Sequence, residues 1–210
     1  MKYDELNEKA KARARQQQVD HDTDGDWYRS VYEDAKQMGG IIGLEIGWGN
    51  KPFLISFAGF WSQGDGCCWT GHIDTKKFVG AVEAMKAETS DGDLFELAKQ
   101  AEAIHEKLVV HEVSNRLIVI GEEEDWHFPD CVPGIRVRIE GNERYWTTRV
   151  DGSEDFSIEF TKVFNDLANS FAKWIYRSLE QQYEFMIDDK NTEATIREYD
   201  PDFDEEGNEI

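Results

Sequence analysis

Between Thr161 and Met186 the residues Val163, Phe164, Leu167, Phe171, Trp174, Ile175, Leu179, Tyr183 and Met186 recur three and four apart. That is the period of one face of an α-helix. A stripe this wide and this aromatic cannot face water over about seven turns, so the helix must be the one on which the rest of the chain packs. Composition allows for such a core: 40% of the 210 residues are hydrophobic, with 7 Trp, 7 Tyr and 12 Phe. A disordered polyanion is excluded even though 44 Asp and Glu stand against 23 Lys and Arg, a net charge of −21.

Upstream, the first eighteen residues are helix-prone but lack a broad apolar face, and are expected to form a peripheral helix over 1–19. After a loop from Asp20 to Asp26, the positions Trp27, Val31, Tyr32, Ala35 and Met38 predict a helix, capped by Asp24 or Asp26 and stopped by Gly39 and Gly40. The period then changes to two at Ile42, Leu44, Ile46 and Trp48, and the cluster Gly49-Asn50-Lys51-Pro52 predicts a hairpin into Phe53 to Phe60. A third strand around Cys67 to His72 would follow the turn Gly64-Asp65-Gly66, making a meander. Helices are expected at Asp74 to Glu88 and Asp91 to Leu108, and strands at Arg116 to Ile120, Ile135 to Glu140, Arg144 to Val150 and Phe156 to Phe160. The fold class is α+β: one domain with an antiparallel β-sheet packed by helices and a long C-terminal aromatic-striped helix, its core at 20–187. The block at 188–210, with ten Asp and Glu against Lys190 and Arg197, is expected to fray or to serve as an interaction tail.

Several clusters carry potential chemistry, and each has a structural reading beside it. Asp20, Asp22, Asp24 and Asp26 alternate around Gly25 like the first half of a calcium loop. The twelfth position is Val31 rather than a bidentate glutamate, so capping of the next helix is the expected role. Cys67, Cys68, His72, His127 and Cys131 could meet as a zinc site, but no CxxC knuckle is present. Of the adjacent Cys67 and Cys68, one is expected to face the core. Glu102 to His105 and Glu124 to His127 have the Glu-x-x-His spacing of di-iron bundles, but such sites need both motifs on facing helices plus two further glutamates, and the second motif falls in an apparent loop, so these are expected to be surface residues. There is no GxSxG, HExxH, P-loop or GxGxxG motif, so the expectation is a protein that is not an enzyme and takes no cofactor. Three cysteines, an odd number, fit a reducing cytoplasm. No run of apolar residues is long enough to span a membrane or to form a signal peptide.

The segments DWYRSVYEDA at Asp26 to Ala35, ISFAGFWSQGDGCCWTG at Ile55 to Gly71 and SFAKWIYRSLEQQYEFM at Ser170 to Met186 occur in that order. In this the chain resembles a group of bacteriophage-encoded acidic proteins with a VYED helix, an FSGFWSQGDG-type strand and turn, and an FADWIY-x-x-LE-x-x-YE helix, some of them labelled antitoxin-like. The resemblance implies a phage or prophage origin and, in an infected bacterium, a cytoplasmic location.

Function is then read from charge. Acidic clusters at Asp20 to Asp26, Glu122 to Asp125, Asp151 to Asp155 and the C-terminal block disfavour binding to nucleic acid or anionic lipid and favour a basic protein. The expected role is inhibition of a host nucleic-acid-handling defence factor, of the anti-CRISPR or anti-restriction type, by an acidic surface drawn from Asp22, Asp24, Glu122, Glu123, Glu124, Asp125, Asp204, Glu205 and Glu206. The alternative is an antitoxin-like or small-ligand-binding protein. Its recognition loop would use Phe60, Trp61, Ser62, Gln63, Asp65 and Trp69, with Phe57, Phe60, Trp61 and Trp69 burying around the turn.

Overall fold

The computed structural model describes residues 1–47, 54–63, 65–111, 116–121, 135–139 and 154–210, and their side chains except at 107–111, 116–121, 135–139 and 154–161. In chain order the elements are α1 (Glu8–Thr23), α2 (Arg29–Ile41), β1 (Leu44–Ile46), β2 (Ile55–Ala58), β3 (Gly66–Trp69), β4 (Gly71–Asp74), α3 (Ala81–Glu88), α4 (Gly92–His111), β5 (Arg116–Gly121), β6 (Ile135–Ile139), α5 (Glu154–Ile187) and α6 (Asp189–Tyr199). The fold class is α+β as expected, with antiparallel strands packed by helices and α5 as the long striped helix. The chain divides into two compact units, 1–31 with 178–210 and 32–177.

In the larger unit, four strands form an antiparallel sheet in the order β1-β4-β5-β6, and β2 pairs with β3. The predicted β1–β2 hairpin does not form. Leu44 pairs with Ile73 and Ile46 with Gly71, whereas Ile55 pairs with Trp69 and Ala58 with Gly66. Thr70 joins the two ladders: its N–H donates to the Leu54 carbonyl at 2.8 Å and its carbonyl accepts from Gly47 N–H at 2.9 Å. β1 and β2 therefore run along the same edge of the β3–β4 strand, and neither is the ladder partner of the other.

Phe164, Phe171 and Ile175 of α5 are fully buried. Phe171 stacks on Trp174 with centroids 5.8 Å apart and meets Trp69 edge-on at 5.5 Å. The buried Trp69 indole N–H, which would otherwise lose its water partner, donates to the Ala168 carbonyl at 3.1 Å. Trp174 N–H likewise donates to Asp91 Oδ2 at 2.9 Å, while Asp91 Oδ1 accepts the Asp93 N–H at 2.8 Å in the first turn of α4.

Four expectations about boundaries are corrected here. Gly39 and Gly40 do not stop α2, which runs on to Ile41. Gly39 instead permits close approach, since a Cβ there would lie 2.7 Å from the Phe171 ring. Asp74 to Glu88 is not one helix: a 3-10 turn at Thr75–Phe78 precedes α3, and Gly80 at φ 73 separates them. Phe156 to Phe160 is helix, not strand, because the spacing from Phe156 through Phe160 to Phe164 continues the stripe of α5. The loop expected from Asp20 is shorter, as α1 extends to Thr23. The predicted strand at Arg144 to Val150 lies outside the described residues.

The smaller unit overturns the picture of a fraying tail. Residues 189–199 form α6, and Ile196 and Phe203 are buried with Tyr3, Leu6, Ala10 and Ala14. Tyr3 is the hub. Its hydroxyl accepts from Arg15 Nη1 at 3.0 Å, and Arg15 also reaches Glu193 at 3.0 Å and Asp189 at 3.3 Å. Arg197 lies 5.3 Å from the Tyr3 ring centre and bridges Glu193 and Asp4. Lys2 pairs with Asp200 and Asp202. Much of the acidic block thus serves as internal counter-charge.

These contacts set a pH dependence. Burial raises the pKa of the Glu193 carboxyl, but hydrogen bonds with Arg197 and Tyr3 and the charges of Arg197 and Arg15 outweigh it, leaving the group below its ordinary value. Asp204 is also held low, by Asn208 side-chain and backbone donors. A depressed carboxyl stabilises the fold above its unfolded pKa and loses that contribution as pH falls through the folded one. Thermal melts between about pH 6 and about pH 3 should therefore show this unit loosening on the acid side. Glu193→Gln should start lower and decline less steeply; a parallel decline would mean that Glu193 carries no such linkage.

Candidate functional site

Two surfaces gather the residues singled out by sequence, one in each unit. In the smaller unit, the turn at Asp204–Asn208 is built by the Asp204 carboxylate, which accepts the Glu206 N–H at 3.0 Å, the Asn208 N–H at 2.8 Å and the Asn208 side-chain amide at 2.7 Å. Gly207 lies so close to α1, at φ 84, that a Cβ would sit 2.2 Å from the Ala10 carbonyl oxygen. Gln17 Nε2 donates to Asn208 Oδ1 at 3.1 Å. Asp20 follows Gln17 by three residues, which puts it on the side of α1 that meets this turn, and Asp24 is the extended C-cap of the same helix. Glu205, Glu206, Asp20 and Asp24 are exposed. Asp22, half-buried, lies on another face of α1 and accepts from Gln18 Nε2 at 2.8 Å.

The same geometry bears on the metal readings. Asp20 accepts from Gln16, Asp24 from the Gly25 N–H, and Asp26 from the Tyr28 hydroxyl, so the four aspartates are spread along a helix end. Among the described residues, no three His, Cys, Asp or Glu side chains group to hold a metal ion. Cys67 and Cys68 are both buried, where only one was expected to be, and burial pushes the Cys67 thiol well up. Glu102 is engaged with the Val82 N–H of α3 at 3.0 Å. Glu122, Glu123, Glu124, Asp125, His127 and Cys131 lie outside the described residues.

The second surface is the turn after β2. Asp65 Oδ2 accepts the Ser62 N–H at 2.6 Å, and Asp65 N–H donates to the Ser62 carbonyl at 3.2 Å. Gly59, at φ 36, leaves only 2.9 Å between a Cβ and Asp65 Oδ1. Phe57 stacks on Phe60 at 5.9 Å, and Phe60 meets Tyr176 of α5 at 5.5 Å. The expected burial of all four aromatics is corrected at Trp61, which is 63% exposed and has φ 70. Ser62 and Gln63 are exposed as well. Trp69, fully buried against Phe171, is part of the core and does not share a surface with Trp61. Tyr176 was missed in the sequence, where it stands next to Ile175 but outside the apolar stripe of α5.

Residues 27–189 match the family described as a domain of unknown function, DUF8835. The chain belongs to the DUF8835 family. The matched region contains the whole of the aromatic turn, whereas Asp20, Asp24 and the Asp204–Asn208 turn lie beyond its two ends. No curated protein and no solved structure matches the chain. Among the described residues, no helix is long and apolar enough to cross a membrane.

Proposed function

We propose that this member of the family is a non-catalytic, phage-encoded accessory protein acting in the cytoplasm of an infected bacterium. It binds and inhibits a basic, nucleic-acid-handling defence factor of the anti-CRISPR or anti-restriction type through its acidic surface. The observation that carries this reading is the placement of charge. The smaller unit holds 19 Asp and Glu against 8 Lys and Arg, and four of those cations, Lys2, Lys11, Arg15 and Arg197, are already in ion pairs. Asp20 and Asp24 at the C-terminal end of α1, and Glu205 and Glu206 in the turn that is bonded to α1 through Gln17 and Asn208, are all exposed. Such a cluster raises the local concentration of a cationic surface and speeds its encounter, and it competes with nucleic acid for the same groove.

Further support comes from the three ordered segments that resemble phage-encoded proteins. Burial pushes the Cys67 thiol up, which makes that residue a poor nucleophile. A second reading, a small-ligand-binding or antitoxin-like protein, is favoured by the row Phe57, Phe60 and Tyr176 but loses Trp69 to the core. The test is affinity purification from an infected host with mass spectrometry of the retained proteins. The native chain should retain a basic nucleic-acid-binding protein at low salt, and a chain carrying Asp20→Asn, Asp24→Asn, Glu205→Gln and Glu206→Gln should retain much less. Equal retention by the two, or recovery of no basic protein, contradicts the proposal.

A further inference from the structure

We propose that the aromatic shelf of Phe57, Phe60 and Tyr176, with Trp61 at its edge, is an anchor for an arginine side chain on a basic partner protein. The inference rests on the reading above that the partner is basic, and it adds the place and the side chain recognised. Trp61 is the starting point. A bulky L residue at φ 70 is strained, and a Trp that is 63% exposed gains little from burial to offset that strain. Such a conformation persists only where its surroundings impose it, and here they do. The Asp65 carboxylate holds the Ser62 N–H at 2.6 Å, Gly59 occupies a place where a side chain would meet that carboxylate, and the Tyr176 hydroxyl donates to the Gly59 carbonyl at 3.2 Å. The indole is therefore presented by a turn tied at both ends, and a partner would pay little ordering cost to use it.

The chemistry of the shelf selects the occupant. The rings of Phe57, Phe60, Trp61 and Tyr176 follow one another at centroid separations of 5.5–6.1 Å, and of these Trp61, 63% exposed, offers solvent the most ring surface, which attracts a cation through its π electrons. Arginine suits it better than lysine, because the guanidinium is flat, weakly hydrated and able to stack on rings. With a net charge of −21, a second copy of this chain would be repelled, whereas a cationic segment is drawn in. Charge complementarity thus commits the shelf to a basic partner over a self-association surface.

The full chain is titrated by calorimetry with two short peptides of equal charge, one alternating Gly and Arg and the other Gly and Lys, and with a neutral Gly-Leu peptide. At about 0.3 M salt, where steering by exposed charge is screened, the Arg peptide should bind about three- to tenfold more tightly than the Lys peptide. Trp61→Ala should erase that margin. Trp61→Gly, which relieves the positive φ, should erase it too while melting at or above the native temperature, so that the loss is one of binding and not of folding. An absent margin, or one that survives Trp61→Ala, overturns the shelf and leaves capture by charge intact. A Gly-Leu peptide binding as tightly as the Arg peptide overturns the cation assignment. If neither basic peptide binds at low salt, the basic-partner reading fails and the shelf fails with it.

Discussion

Phe171→Ala is expected to destabilise the 32–177 unit by about 3–5 kcal/mol, the range for removing a fully buried aromatic. Phe171 has no exposure, stacks on Trp174 and meets Trp69 edge-on. Collapse into the vacated space is resisted on two sides. The Trp69 indole is fixed by its bond to Ala168 and the Trp174 indole by its bond to Asp91. Gly39, with no side chain to advance, cannot fill the hole from α2. Chemical denaturation followed by tryptophan fluorescence should show the midpoint falling with little change in slope. A loss below about 1 kcal/mol would mean that the ring is not the packing centre described.

Gly71→Ala is the second large effect, and it tests the strand pairing itself. A Cβ at that position would sit 1.9 Å from the Glu45 carbonyl oxygen and 3.0 Å from Ile46 Cα, both backbone atoms that cannot rotate away. β1 must then move off β4, at a cost of about 2–3 kcal/mol by analogy with overpacked cores. Hydrogen exchange distinguishes the mechanism from general loosening. The amides of Gly47, bonded to Thr70, and Asp74, bonded to Gly43, should lose protection ahead of those in α4. Unchanged protection at Gly47 and Asp74 would contradict the β1–β4 register.

What could be foreseen from sequence follows the physics of each signal. The stripe of α5 was legible because a 3.6-residue period over many turns has few alternatives. Alternation at Leu44 to Ile46 and Ile55 to Phe57 marks strands but does not name their partners, so sequence pairs the two with each other instead of with β4 and β3. Phe156, Ile158 and Phe160 alternate as a strand would, while Phe156 and Phe160 also fit a helix; only continuity with α5 decides between them. At 188–210 the count of carboxylates hid Ile196 and Phe203, two apolar residues on which the small core depends.

The candidate surfaces divide in the same way. Glu205 and Glu206 were foreseen as acidic and are exposed, but nothing in their spacing indicated that the turn carrying them lies on α1. Asp204 was read as a docking residue, and its carboxylate is instead occupied in building that turn. The glycines around Asp65 pointed to a turn, yet the exposure of Trp61 depends on a positive φ that composition does not reveal. Tyr176 joins the shelf from α5, more than a hundred residues away in sequence.

The decisive measurement is the affinity for the retained host protein as ionic strength is raised from about 0.05 M to about 0.3 M. Capture through surface carboxylates predicts a fall of about tenfold or more, mostly in the association rate, with a shallower fall when Asp20, Asp24, Glu205 and Glu206 are neutralised. An affinity that stays constant across that range, or that falls just as steeply in the neutralised chain, would contradict binding through the acidic surface.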